Sequence, residues 1–136
     1  MKRPINTTAA PAAIGTYSQA IEVPGLVFLS GQIPLDPESM VLVSDHIEAQ
    51  TEQVFKNLAA IAAAAGGGLN DMVKLTVYLE DLDNFAIVNE VMARHIDAPY
   101  PARAAIGVAA LPKGAVVEID AIMVRPDTQA PVSGDR

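Results

Sequence analysis

Arg103 and Glu118 are the residues whose type and setting could do chemistry on a small anionic molecule. Each lies in a short apolar segment with strand-like alternation, Arg103 beside Ala102, Ala104 and Ile106, and Glu118 between Val117 and Ile119. The two-residue period of a strand predicts that Arg103, Ala105 and Gly107 share one face, that Glu118 shares one with Asp120, and that both charges face away from the apolar set that helices cover. A lone arginine or glutamate is ordinarily half of a rim ion pair. Here Ala105, Gly107 and Ala109 are small and leave room above the sheet for a ligand or for close approach of another subunit. An arginine in such a place can grip an anion whatever the net charge of the chain. A carboxylate near it adds nothing to anion binding but is what activation of a water requires.

Other chemistries have less support. His46 and His95 are far apart, with no His-Glu-x-x-His pattern, so they read as surface histidines and no metal is expected. Gly66, Gly67 and Gly68 follow a helical pattern instead of opening one and lack a Gly-Lys-Ser/Thr ending, which makes them a helix stop and not a phosphate cradle. Ser30 before Gly31 is not in a Gly-x-Ser-x-Gly elbow. With no cysteine there is no disulfide framework and no thiolate nucleophile, which fits a reducing compartment, and a cytoplasmic location is expected. A net charge of −7, with no basic stripe interleaved with aromatics, argues against nucleic acid as a partner. No stretch resembles a signal peptide or a membrane span, so neither export nor insertion is expected.

The elements that must position Arg103 and Glu118 can be read from periodicity. A chain of 136 residues with 51% hydrophobic composition predicts one α/β domain over 1–125, followed by a flexible Pro-, Ser- and Gly-containing tail at 126–136. Strands are predicted near 18–23 and 26–30. Ile47, Thr51, Val54, Leu58, Ile61 and Ala65 mark a helix, with Asp45 and Glu48 placed as a capping box and Gly66 as its stop. Val73, Leu75, Val77 and Leu79 mark a strand, and Phe85, Val88, Met92 and Ile96 one side of a helix over about 83–96, capped by Asp81 or Asp83. Strands over about 102–110 and 116–124 follow, joined by a turn at Pro112 to Gly114. The predicted order is β-β-α-β-α-β-β, a mixed sheet with both helices on one face. Val117, Ile119, Ala121 and Met123 oppose Ile122 and Val124, and Leu26 and Phe28 oppose Val27 and Leu29, so both faces of the sheet carry apolar residues, and the face without helices is expected to pack against other copies of the chain. If the last two strands form a hairpin, Glu118 pairs near Gly107 or Val108, and Arg103 lies about 13 Å from it along the strands. A substrate of three or four carbons cannot span that distance, so Arg103 of one subunit is expected to face Glu118 of another.

Several segments in order resemble the RidA (YjgF) family of reactive-intermediate deaminases from Ala10 to about Arg125. They are residues 10–20 (APAAIGTYSQA), 30–34 (SGQIP), 85–89 (FAIVN), Pro101-Ala102-Arg103, Leu111-Pro112-Lys113 and Val117-Glu118-Ile119. The resemblance implies a chorismate-mutase-like fold, a homotrimer with clefts between subunits, no cofactor, and hydrolysis of enamines or imines such as 2-iminopropanoate and 2-iminobutanoate. It also implies roles by position. Arg103 would hold the substrate carboxylate through two parallel hydrogen bonds, and Glu118 would deprotonate the attacking water and return the proton as ammonia leaves. Tyr17, Ser30 with Gly31, and Asn89 would shape and orient the pocket. Many relatives carry cysteine where this chain has Ala105, whose backbone N–H can still bind a carboxylate. Alternatives on the same fold are a non-catalytic carboxylate-binding sensor or chaperone, a deaminase of aminomuconate or of a pyrimidine-breakdown intermediate, and an RNA-cleaving member, which the acidic charge disfavours.

Overall fold

In β6, Val117–Val124, buried and half-buried residues alternate along all eight positions. Val117, Ile119, Ala121 and Met123 enter the core, while Glu118, Asp120, Ile122 and Val124 face the other way. The computed structural model describes residues 1–125, so the tail expected at 126–136 lies outside the described residues. Around β6 the chain builds a six-stranded sheet from β1 (Arg3–Ile5), β2 (Ala20–Val23), β3 (Leu26–Gln32), β4 (Met72–Leu79) and β5 (Ala102–Gly107), in the order β1-β2-β3-β6-β4-β5. Only β4 and β5 run parallel; all other neighbours are antiparallel. Among the described residues, no helix is long and apolar enough to cross a membrane.

Helix α1 (Ile47–Ala64) buries Thr51, Val54, Phe55, Leu58, Ile61 and Ala62 at helical spacing, and α2 (Phe85–His95) buries Val88, Val91 and Met92. Both close over Val27, Leu29, Leu75, Val77, Val117 and Ile119 in one core. Gly66 ends α1 as expected, since its φ of +91° is the left-handed conformation glycine adopts without strain. The capping box expected from Asp45 and Glu48 does not form. His46 holds the cap position without a side-chain bond, and its own N–H is taken by Ser44 Oγ at 3.0 Å. Asp81, in contrast, accepts from the backbone N–H of Asp83 and caps the short 3-10 turn that leads into α2.

Two expectations about the last strands are corrected. β5 and β6 do not form a hairpin, because β4 lies between them. The chain leaves β4, runs through α2 and returns as β5 parallel to β4, a β-α-β unit whose crossover places β5 on the outer edge of β4. Residues 108–116 then carry it past the end of β4 to that strand's other edge, and their 3-10 turn at Pro112–Gly114 joins strands two places apart. The second correction concerns the face of β5. In its parallel register Arg103 pairs with Leu75, Ala105 with Val77 and Gly107 with Leu79, all three partners being core residues. Arg103, Ala105 and Gly107 therefore share the helix-covered face, and Ile106 sits on the open one, 43% exposed. An edge strand tolerates this arrangement because the helices do not fully cover it, so an arginine on the core side still reaches solvent. β1 was not expected at all; it adds to the sheet through Pro4 opposite Ile21 and Ile5 opposite Ala20.

Candidate functional site

Arg103 is held from three positions on one stripe of α2. Its Nη1 donates to Asn89 Oδ1 at 2.8 Å and approaches Met92 Sδ at 3.4 Å, and its guanidinium carbon lies 4.7 Å from the centre of the Phe85 ring. Residues 85, 89 and 92 follow the i, i+4, i+7 spacing of a single helix face. The stacked ring and the amide oxygen fix the plane of the guanidinium while leaving donors for a ligand. A cleft of about 390 Å³, lined by Asn89, Met92, Tyr100 and Arg103, opens beside it. The N–H of Val108 donates to Leu79, so the strand period turns the N–H groups of Arg103 and Ala105 away from β4. No described strand pairs with that outer edge, which leaves the Ala105 N–H open to a ligand or to another chain.

Glu118 belongs to a different place. Its carboxylate lies against Gly31, where a Cβ would fall 2.0 Å from Glu118 Oε2. A register irregularity in β3 brings the two together: Leu29 pairs with Ala121 but Gln32 with Ile119, so β3 spends an extra residue at Ser30 and Gly31. Ser30 is fixed by its N–H to Gln19 O at 2.9 Å and its hydroxyl to Ser18 O at 2.6 Å, leaving its oxygen able to accept a bond. The buried side chain of Gln19 bonds Thr7, Ala10 and Pro11 and pins the N-terminal loop that carries Tyr17 to the rim. The approach to β6 is held in the same way, with Gln50 accepting from Val116 N at 2.9 Å.

These residues surround a cleft of about 450 Å³ that contains Tyr17, Ser30, Gly31, Lys113 and Glu118, with apolar walls from Ile14, Ile33, Leu35 and Met40. Burial raises the Glu118 pKa, and the neighbouring Asp120 carboxylate adds to the rise. A carboxylate raised in this way is a better proton acceptor than an exposed one. Replacing Gly31 by alanine is expected to push the Glu118 carboxylate aside while the fold survives, since the clash is with the end of a flexible side chain. If Glu118 acts on substrate, the Gly31→Ala rate should fall on the order of tenfold to a hundredfold at little change in melting temperature. An unchanged rate in the folded variant would show that the position of this carboxylate is unimportant.

The residues expected to share a site thus form two groups. Tyr17, Ser30, Gly31 and Glu118 meet in one cleft; Arg103, Asn89 and Ala105 meet around the outer edge of β5. Arg103 pairs with Leu75 and Glu118 with Tyr78 on the strand between them. Two strand spacings and three residues of rise put their backbones about 14 Å apart, and their side chains leave opposite faces of the sheet. The separation is close to that expected from a hairpin, although the hairpin is absent. The helical pattern marks Phe85 and Met92 only as core positions of α2, and the spacing that groups them with Asn89 is the signal of their role. The loop that supplies Ile33, Leu35 and Met40 carries no periodic pattern to announce it.

Comparison with known proteins gives a consistent result. The profile of the family described as Endoribonuclease L-PSP matches residues 7–125. The chain is 47% identical over 125 residues to the 2-iminobutanoate/2-iminopropanoate deaminase of Mus musculus, covering 92% of this chain and 93% of the mouse protein. It is 52% identical over 123 residues to the RutC family protein y4sK of Sinorhizobium fredii, covering 90% and 98%. Among solved structures, RidA from the Antarctic bacterium Psychrobacter sp. superposes with a TM-score of 0.87 at 56% identity, over 90% of this chain and 98% of that one. E. coli TdcF with bound serine gives 0.85 at 41% identity, again over 90% and 98%.

Proposed function

This chain belongs to the Endoribonuclease L-PSP (YjgF/RidA) family, and on that footing we propose that it hydrolyses 2-imino acids such as 2-iminopropanoate and 2-iminobutanoate, in clefts shared between the subunits of a homotrimer. The observation that carries this reading is the division of the site. A half-buried carboxylate with a raised pKa occupies one cleft, and an arginine aligned by Asn89 and Phe85 lies beyond its reach on the other face of the same chain. Neither half is sufficient alone for a substrate that must be both anchored and hydrated. The partly apolar sheet face, with Phe28 and Ile106 each 43% exposed, supplies a surface on which copies can pack.

In the assembled cleft Arg103 of one subunit pairs with the substrate carboxylate, assisted by the Ala105 N–H. Glu118 of the neighbour takes a proton from a water whose oxygen bonds to C2 of the imine while the C=N π pair moves to nitrogen. The proton held by Glu118 passes to that nitrogen to give the carbinolamine. The same carboxylate then takes the hydroxyl proton and delivers it to the amine as the C=O forms and the C–N bond breaks, so that the products are ammonia and a 2-keto acid. Tyr17 and Ser30 flank the carboxylate and orient the water and the nitrogen. The deaminase name of the mouse relative supports the reaction, and the net charge of −7 weighs against RNA as substrate.

The reaction is tested by supplying the imine from a serine or threonine dehydratase and following its capture by semicarbazide. Addition of this protein should reduce trapped imine and speed keto acid formation. A trapping yield unaffected by the protein would refute the assignment.

A further inference from the structure

Glu118 is not the only carboxylate on its face of β6. Asp120 follows two residues later on the same alternation, so the two side chains leave the strand about 7 Å apart and point the same way. Across the ladder on β4, Tyr78 stands opposite Glu118 and Thr76 opposite Asp120. The Tyr78 hydroxyl does not turn to its direct partner; it reaches diagonally and donates to Asp120 Oδ2 at 2.9 Å. The tyrosine therefore fixes the Asp120 carboxylate and at the same time walls one side of Glu118.

We propose that Asp120, clamped by Tyr78, is a positioning residue whose fixed negative charge beside Glu118 strengthens that carboxylate as a proton acceptor. This rests on the reading of Glu118 as the base. Burial by itself already makes the Glu118 carboxylate a better proton acceptor than an exposed one. A like charge held close disfavours the ionised form and raises basicity. Among the described residues of one chain, the charged and titratable groups around Glu118 are Tyr17 on the N-terminal loop, Lys113 on the turn before β6, Tyr78 and the adjoining Glu80 along β4, and Asp120 on β6 itself, with Lys74 further off opposite Ile122; in the cleft of the proposed function Arg103 of the neighbouring subunit joins them. β3 contributes Ser30, Gly31 and Gln32 there, none of them charged. Of these groups, Asp120 is the one whose charge raises the Glu118 pKa beyond what burial does. The bond to Asp120 also raises the Tyr78 pKa, which keeps its hydroxyl protonated as the donor the clamp needs.

The test is to titrate Glu118 directly, by carboxyl carbon NMR on protein labelled at glutamate, in the native chain and in Asp120→Asn. Asparagine keeps the shape and an oxygen for the Tyr78 hydroxyl but removes the charge. A like charge at the next same-face position of the strand displaces the midpoint upward. The Glu118 midpoint should therefore fall in Asp120→Asn, and the acid limb of kcat/KM should move to lower pH with it. Should Asp120→Asn fail to assemble, Asp120→Ser, which is smaller and also offers an oxygen, carries the same expectation. A midpoint unmoved in a folded variant overturns the proposal, whatever happens to the rate. Because the midpoint is read without turnover, a protein that shows the shift but hydrolyses no imine would refute the proposed reaction and leave the Asp120–Glu118 coupling standing.

Discussion

Glu118→Gln is expected to slow hydrolysis of a 2-imino acid about a hundredfold while leaving carboxylate binding nearly intact. The amide keeps the shape of the side chain against Gly31 but cannot accept the proton of the attacking water, and loss of a general base typically has this magnitude. Stability should move the other way. Burial and Asp120 raise the pKa of Glu118 in the folded protein, so the folded state favours the protonated form. The penalty for carrying the charge is absent below the unfolded pKa, grows as pH rises from the unfolded to the folded value, and is complete above the folded value. Removing the ionisable group removes the penalty, so the melting temperature of Glu118→Gln at neutral pH should equal or exceed that of the native protein and the difference should vanish in acid. Equal loss of ligand affinity and rate would instead make Glu118 a structural partner and favour a binding protein over an enzyme.

Arg103→Lys is expected to lose roughly tenfold or more in kcat/KM with the fold and oligomer unchanged, since lysine keeps the charge but not the planar two-point grip. It also loses the alignment that the Phe85 ring and Asn89 provide. The division of the site leads to a stronger test. Arg103→Ala and Glu118→Ala proteins should each be nearly inactive, yet when unfolded and refolded together they should recover activity, because some mixed trimers hold an intact Arg103 opposite an intact Glu118. Mixed trimers shown by mass spectrometry to form, but without activity, would exclude a site shared between subunits.

Much of this architecture was legible because its periodic signals were strong. α1 carries a helical apolar stripe ended by Gly66, and β6 alternates so strictly that the side of the sheet holding Glu118 could be assigned from Val117, Ile119, Ala121 and Met123 alone. The pairing of Glu118 with Gly31 was not legible, because it depends on an irregularity in the register between β3 and β6 that no local pattern encodes. The grip of Asn89 and Phe85 on Arg103 was half visible, as a helical spacing without a partner.

By itself, then, the sequence determined the element order apart from β1, the single α/β domain, the apolar sets of the helices and of β6, and the family. Only the tertiary structure decided which strand lies beside which, and with it the face on which Arg103 stands. Alternation is a property of one strand and assigns a face only when one alternate set is clearly apolar. In β5 the two sets are Arg103, Ala105 and Gly107 against Ala102, Ala104 and Ile106, and neither would bury enough apolar surface to choose the core side unaided. The choice is made instead by the parallel register with β4 and by α2 above it, contacts between residues distant in sequence that exist only once the chain has folded.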